Sequence, residues 1–144
     1  MSIYRKILVV VDLTEDSETI GQRAKAVAAA FESQIELLHV VEYVPVEPMG
    51  EALLPAVQVE DELIERAKQL LAELAAKLGL PSCAQIIASG NIKGEIVRVA
   101  KEHNADLIVM GARERHGLAI LLNFTEDTIL HEAGCDVLAV RLKS

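Results

Sequence analysis

The chain has 144 residues, 51% of them hydrophobic and 3% aromatic, with no Trp and a formal net charge of −8. This composition fits one domain (residues 1–144) with a core of Val, Ile, Leu and Ala, and it excludes a disordered chain. The acidity, with no basic stripe and few stacking aromatics, excludes a nucleic-acid binder; its plain reading is solubility.

Ile7-Leu-Val-Val-Val11 is a β-branched run and predicts a strand buried on both faces. Asp12 ends it, and Thr14 is expected to cap the next helix. In that helix Ile20, Ala24, Val27, Ala28 and Phe31 form one apolar face. Residues 35–41 predict the second strand, with His39 as a satisfied core histidine.

Residues 43–58 hold Pro45, Pro48, Pro55 and Gly50, which predicts a long loop that is either a lid or partner-binding segment or a tolerated surface insertion. The next segment, 59–78, predicts a helix that buries Leu63, Ala67, Leu70, Leu71, Leu74 and Leu78. Glu62–Arg66 and Glu73–Lys77 are expected as i,i+4 pairs on its wet side. Gly79 and Pro81 stop it. A short strand over 83–88, a turn at Ser89-Gly90-Asn91 and a helix from Ile92 to near Asn104 follow. His103 and His131 stand near helix ends, where a cation is favoured.

Residues 107–110 predict the fourth strand, running into a glycine turn at Gly111. A loop through Gly117 then leads into a helix over roughly 118–133 that stops at Gly134, and residues 137–140 predict the fifth strand. Strands and helices alternate throughout, which predicts a parallel sheet with helices on both faces. No apolar stretch reaches the roughly 20 residues that span a bilayer. The N-terminus lacks a signal-peptide layout, so a cytoplasmic protein with no membrane partner is expected. Cys83 and Cys135 fit no metal or redox spacing and read as small buried hydrophobes.

In such sheets, ligands bind beyond the carboxyl ends of the strands, where strand order reverses. Asp12 and Gly111 are the residues placed there. Asp12 is suited either to accept hydrogen bonds from a base or ribose, or to hold a metal, or simply to cap the first helix. No Walker A lysine, nucleophile elbow or metal-ligand spacing occurs, His116 included, so no catalytic residue and no metal site are assigned and no enzyme is expected.

The segments Lys6-Ile-Leu-Val-Val-Val-Asp12, Leu37-Leu-His-Val40, Gly90, Ala105-Asp-Leu-Ile-Val-Met-Gly111 and Cys135-Asp-Val-Leu-Ala-Val140 together resemble the universal stress protein family over nearly the whole length. The resemblance implies a Rossmann-like sheet of the adenine nucleotide α-hydrolase type, in strand order 3-2-1-4-5. It also implies a homodimer through the last strand, 136–142, and a role in stress response through client proteins.

One branch of the family binds ATP through Gly-x-x-Gly, eight or nine residues, then Gly-Ser/Thr. Carried onto this chain, Gly111 matches the first glycine, Glu114 replaces the second, and the third falls on Asn123 or Phe124, with Thr125 keeping a hydroxyl. A carboxylate about 5 Å from a phosphate charge costs roughly 3 kcal/mol at an effective dielectric near 20. That is about a hundredfold in affinity. Arg113 and Arg115 offset part of this penalty or are merely solvated. The base and ribose side, Val11, Asp12, Val40 and Met110, is intact. The expectation is therefore a stress-response dimer with weak ATP binding or none. The alternative is an ATP- or AMP-binding switch or slow ATPase, loaded with Mg, that also uses Gly111, Arg113, Gly117, Asn123 and Thr125.

Overall fold

The computed structural model describes residues 3–42, 53–113, 129 and 131–142. In chain order the elements are β1 (Lys6–Val10), α1 (Ser17–Phe31), β2 (Gln34–Val41), α2 (Leu53–Lys77), β3 (Ala84–Ser89), α3 (Ile92–Glu102), β4 (Leu107–Arg113) and β5 (Asp136–Leu142). All five strands pair in parallel, in the order β3-β2-β1-β4-β5. The expected sheet and its strand order are therefore those observed.

Two apolar layers sandwich the sheet. Ile7, Val9, Val11, Leu37 and Val109 meet Ile20, Ala24, Leu71 and Leu78 of the α1–α2 side. Leu8, Leu38, Val40, Ile108 and Met110 meet Ile96, Val97 and Ala100 of α3, together with Ile129 and Ala133. Alternation along each strand sends neighbouring residues to opposite layers, so central strands must be apolar at every position. Most of the expected last helix, 118–133, lies outside the described residues. At its end Ile129, His131 and Glu132 are helical, and the Ala133 N–H donates to the Ile129 carbonyl at 2.9 Å.

Four expectations need correction. The helix expected from residue 59 begins at Leu53, so the part of the 43–58 loop over 53–58 is helix, while 43–52 lies outside the described residues. Pro55 sits in the first turn, where its missing N–H has no intrahelical partner to lose. Leu63, expected in the buried stripe, is 44% exposed. Among the described residues the α2 ion pair is Glu65–Lys68 at 3.2 Å, an i,i+3 contact, in place of Glu62–Arg66 and Glu73–Lys77. Finally, Thr14 does not cap α1: Asp16 is the N-cap residue, and it makes no side-chain capping bond.

The helix stops follow the sequence. Past α2, Gly79 takes φ +73°, and the Gly79 and Leu80 N–H groups return to the carbonyls of Ala76 and Ala75. Such a turn closes the helix end while a left-handed residue reverses the chain. Asn104, at φ 55°, does the same for α3. No helix among the described residues is long and apolar enough to cross a membrane.

Candidate functional site at the carboxyl ends of the strands

β1 and β4 are neighbours through Ile7–Leu107, Leu8–Ile108 and Val9–Val109, and no further. Beyond that level β1 stays with β2, through Val10–Leu38 and a 2.9 Å bond from the Val11 N–H to the Leu38 carbonyl. The last residues of β4, Met110 to Arg113, stay with β5, opposite Ala139 to Leu142. The sheet thus divides between β1 and β4 at its carboxyl end. This is the crevice that the reversal of strand order calls for.

On one side of it the β1–α1 turn folds around Asp12. Its Oδ1 accepts the Thr14 N–H at 3.1 Å, the Thr14 hydroxyl at 2.7 Å and the Ser17 hydroxyl at 3.1 Å. Ser17 is fully buried, while Asp12 itself is exposed. Burial raises the Asp12 pKa, but the bonds from Thr14 and Ser17 outweigh it and hold the carboxyl below its usual range. Leu13, between Asp12 and Thr14, takes φ 63°, a left-handed conformation that costs a branched side chain about 1–2 kcal/mol. Strain of this kind persists only where its surroundings enforce it. Asp12 does not take the helix-capping role open to it, since Asp16 is the N-cap residue of α1; its carboxylate organises its own turn instead.

Sequence reasoning missed Ser17 and Leu13. The signal was an acidic residue followed by hydroxyls two and five positions on, which is Asx-turn chemistry. His39 fits its expected role. It is half-buried, and its Nδ1 donates to the Val11 carbonyl at 2.8 Å. Both main-chain groups of Val11 are therefore engaged with β2.

Val40 and Met110 lie together in the α3-side layer, each 7% exposed, whereas Val11 faces the α1–α2 layer. The structure thus brings Val40 and Met110 to one face at this end and separates Val11 from them. Gly111 needs a correction. It is not a turn but a mid-strand residue opposite Val140. A Cβ there would stand 2.7 Å from Leu142 Cδ1 and 2.9 Å from Ile20 Cδ1, so packing is what calls for glycine. Arg113 closes β4 opposite Leu142. Glu114, Arg115, Gly117, Asn123, Phe124 and Thr125 lie outside the described residues. In the described part of the site Val40 and Met110 are buried core residues, and most of the residues expected to cradle a phosphate are not among it.

A second polar group, unforeseen in the sequence, sits at the opposite end of the sheet. Glu36 is buried on β2. Lys6 Nζ stands 3.6 Å from its Oε1 and His103 Nδ1 3.1 Å from its Oε2. The His103 approach is off-line, so Oε2 has no hydrogen-bond partner among the described residues. Cys83 and Cys135 are free, and burial pushes both thiols up; Asp136 and Asp106 add to the effect at Cys135. Both are half-buried at the edges of the two apolar layers, not buried as expected, and thiols held protonated are poor nucleophiles.

Comparison with known proteins agrees with this architecture. Residues 3–141 match the model of the universal stress protein family. The chain is 39% identical over 144 residues to "Universal stress protein A homolog 2" of Coxiella burnetii, covering 99% of both chains. Among solved structures it is similar to "Universal stress protein UspA from Lactobacillus plantarum", with TM-score 0.81, 23% identity, and 96% of this chain and 98% of that one covered. It is also similar to a universal stress protein in complex with cAMP, with TM-score 0.70, 21% identity and coverage of 96% and 98%.

Proposed function

As the chain belongs to the universal stress protein family, we propose that it is a cytoplasmic homodimer. It acts in stress response through regulated contacts with client proteins, with weak ATP binding or none and no catalysis. One observation carries the reading: the start of α1, beyond the carboxyl end of β1, already carries acid. At the start of α1 the turn holds Asp12, and Glu15, Asp16 and Glu18 crowd the helix N-terminus. Such a terminus favours anions, and here the chain supplies its own. After β4 the residue that replaces the second glycine is Glu114.

The dimer reading is supported by β5, an edge strand of seven residues that pairs with β4 on one side. Among the described residues no strand pairs with its other side, whose main-chain donors and acceptors a second copy of the strand would satisfy. Calorimetry with Mg-ATP tests the nucleotide part. Heats absent at micromolar ligand are expected, and submicromolar binding overturns it. Sedimentation tests the dimer, and a monomer at high concentration overturns that part.

The division between β1 and β4, with Val40 and Met110 as an apolar floor, favours a second reading. In it the chain is a nucleotide-dependent switch or slow ATPase that takes ATP or AMP with Mg. Binding by AMP at modest affinity supports this reading, and no binding at millimolar AMP or ATP removes it.

A further inference from the structure

α2 is longer than the sheet it covers. Its 25 residues span about 37 Å, against about 26 Å for the eight residues of β2. Packing follows the difference. Five residues of 67–78 are buried (Ala67, Leu71, Leu74, Ala75 and Leu78), and none of 59–66 is. The apolar stripe nevertheless continues beyond the covered part. Val59 and Leu63 stand one turn apart in line with Ala67 and Leu71, and they are 48% and 44% exposed. The hydrogen bond from the Ser89 hydroxyl to Glu60 Oε1, at 2.9 Å, fixes this stretch beside the end of β3.

A lone exposed apolar residue needs no explanation. Two on one stripe of a helix held in place make a surface that a partner helix can cover. The charge around them says which kind. Residues 59–68 hold four acids (Glu60, Asp61, Glu62 and Glu65) against two bases, Arg66 and Lys68, the second of which pairs with Glu65, in a chain whose net charge is −8.

We propose that the uncovered face of α2 around Val59 and Leu63 docks a protein partner that presents an amphipathic helix with a Lys/Arg-flanked apolar stripe. The inference rests on the reading that the chain works by contacts with client proteins, and it locates one such contact. Apolar burial at Val59 and Leu63 supplies affinity, while the acids on their flanks steer and select.

The probe is a synthetic amphipathic helix of Leu and Lys, titrated against the full chain by fluorescence anisotropy. Its counterpart with Glu in place of Lys serves as the control. The Lys peptide is expected to bind, to weaken as salt rises, and to weaken by at least about tenfold against the Val59→Ser/Leu63→Ser double variant. The Glu peptide is expected not to bind. Both substitutions are at exposed positions, and an unchanged urea midpoint confirms the fold. Undiminished binding to the double variant overturns the proposal, because attraction to an acidic chain then suffices. Absence of binding by the Lys peptide overturns it as well. A double variant that loses self-association in sedimentation makes this face an interface between copies, and also overturns it. Tight ATP binding would sink the parent reading without touching these outcomes, so the two failures are distinguishable.

Discussion

The two ends of the sheet are built differently. At the amino end, side chains tie separate elements together. Asp106 accepts the N–H groups of Arg5 and Lys6 at 2.9 and 3.0 Å. The Tyr4 hydroxyl donates to Asp136 at 2.7 Å, joining the start of the chain to β5. Lys25 reaches the Leu78 carbonyl across α1 and α2 at 2.6 Å, and Lys6 stands within ion-pair distance of Glu36. At the carboxyl end the bonds of Asp12 stay within its own turn, and β1 and β4 part. Among the described residues the amino end carries more of the long-range polar ties, while the carboxyl end keeps two, His39 to Val11 and Ser89 to Glu60, and parts between β1 and β4.

Substitutions at each end test this contrast. The largest effect is expected from Asp106→Ala, which strips a charged acceptor from two main-chain N–H groups. A loss of about 2–3 kcal/mol in urea unfolding is expected, with nucleotide and peptide titrations unchanged. Gly111→Ala sharpens the contrast from the other side. The added Cβ meets only the tips of Leu142 and Ile20, so a loss of about 1–2 kcal/mol is expected. A gain in stability there would show that the packing relaxes freely.

Asp12→Asn follows, at under about 1 kcal/mol near neutral pH, since Asn keeps an acceptor for Thr14. Its pH dependence has a definite sign. The folded-state pKa of Asp12 is lowered, so the wild-type advantage is fully present above the ordinary carboxylate pKa. That advantage disappears as pH falls through the lowered value. Unfolding curves of both proteins across the acid range check this, and a difference that grows on acidification contradicts it. The smallest effect belongs to the amino end. Glu32→Gly, at φ 55° behind α1, is expected to raise stability by about 0.5–1 kcal/mol, read as a higher unfolding midpoint.

The contrast between the ends was only half visible in the sequence. Apolar runs such as 7–11 and 107–110 declared buried parallel strands, and the alternation with helices declared the sheet. Gly79 and Gly134 marked stops that the backbone obeys at φ +73° and +74°. Pro55 misled, because a proline reads as a breaker unless the helix is known to start just before it. Gly111 misled because its missing side chain makes room for Leu142 and Ile20, and neither neighbour is near in sequence. Leu63 kept the period of a buried stripe, yet periodicity does not say where the sheet ends. Lys6 and His103 approach Glu36 from other elements, and no local spacing announces it. At the candidate site, Asp12, Val40 and Met110 were placed by strand ends alone, whereas the turn that Ser17 and Thr14 build around Asp12 needed coordinates.

In the proposed function the crevice keeps its scaffold, while the sequence has Glu114, and Asn123 or Phe124, where the ATP-binding branch has glycine. Calorimetry with Mg-ATP on the wild type and on Glu114→Gly/Phe124→Gly tests this most directly. The double variant is expected to bind roughly tenfold to a hundredfold more tightly, the range set by removing one carboxylate from beside a phosphate. Equal affinity in the two proteins, or submicromolar affinity in the wild type, would contradict it.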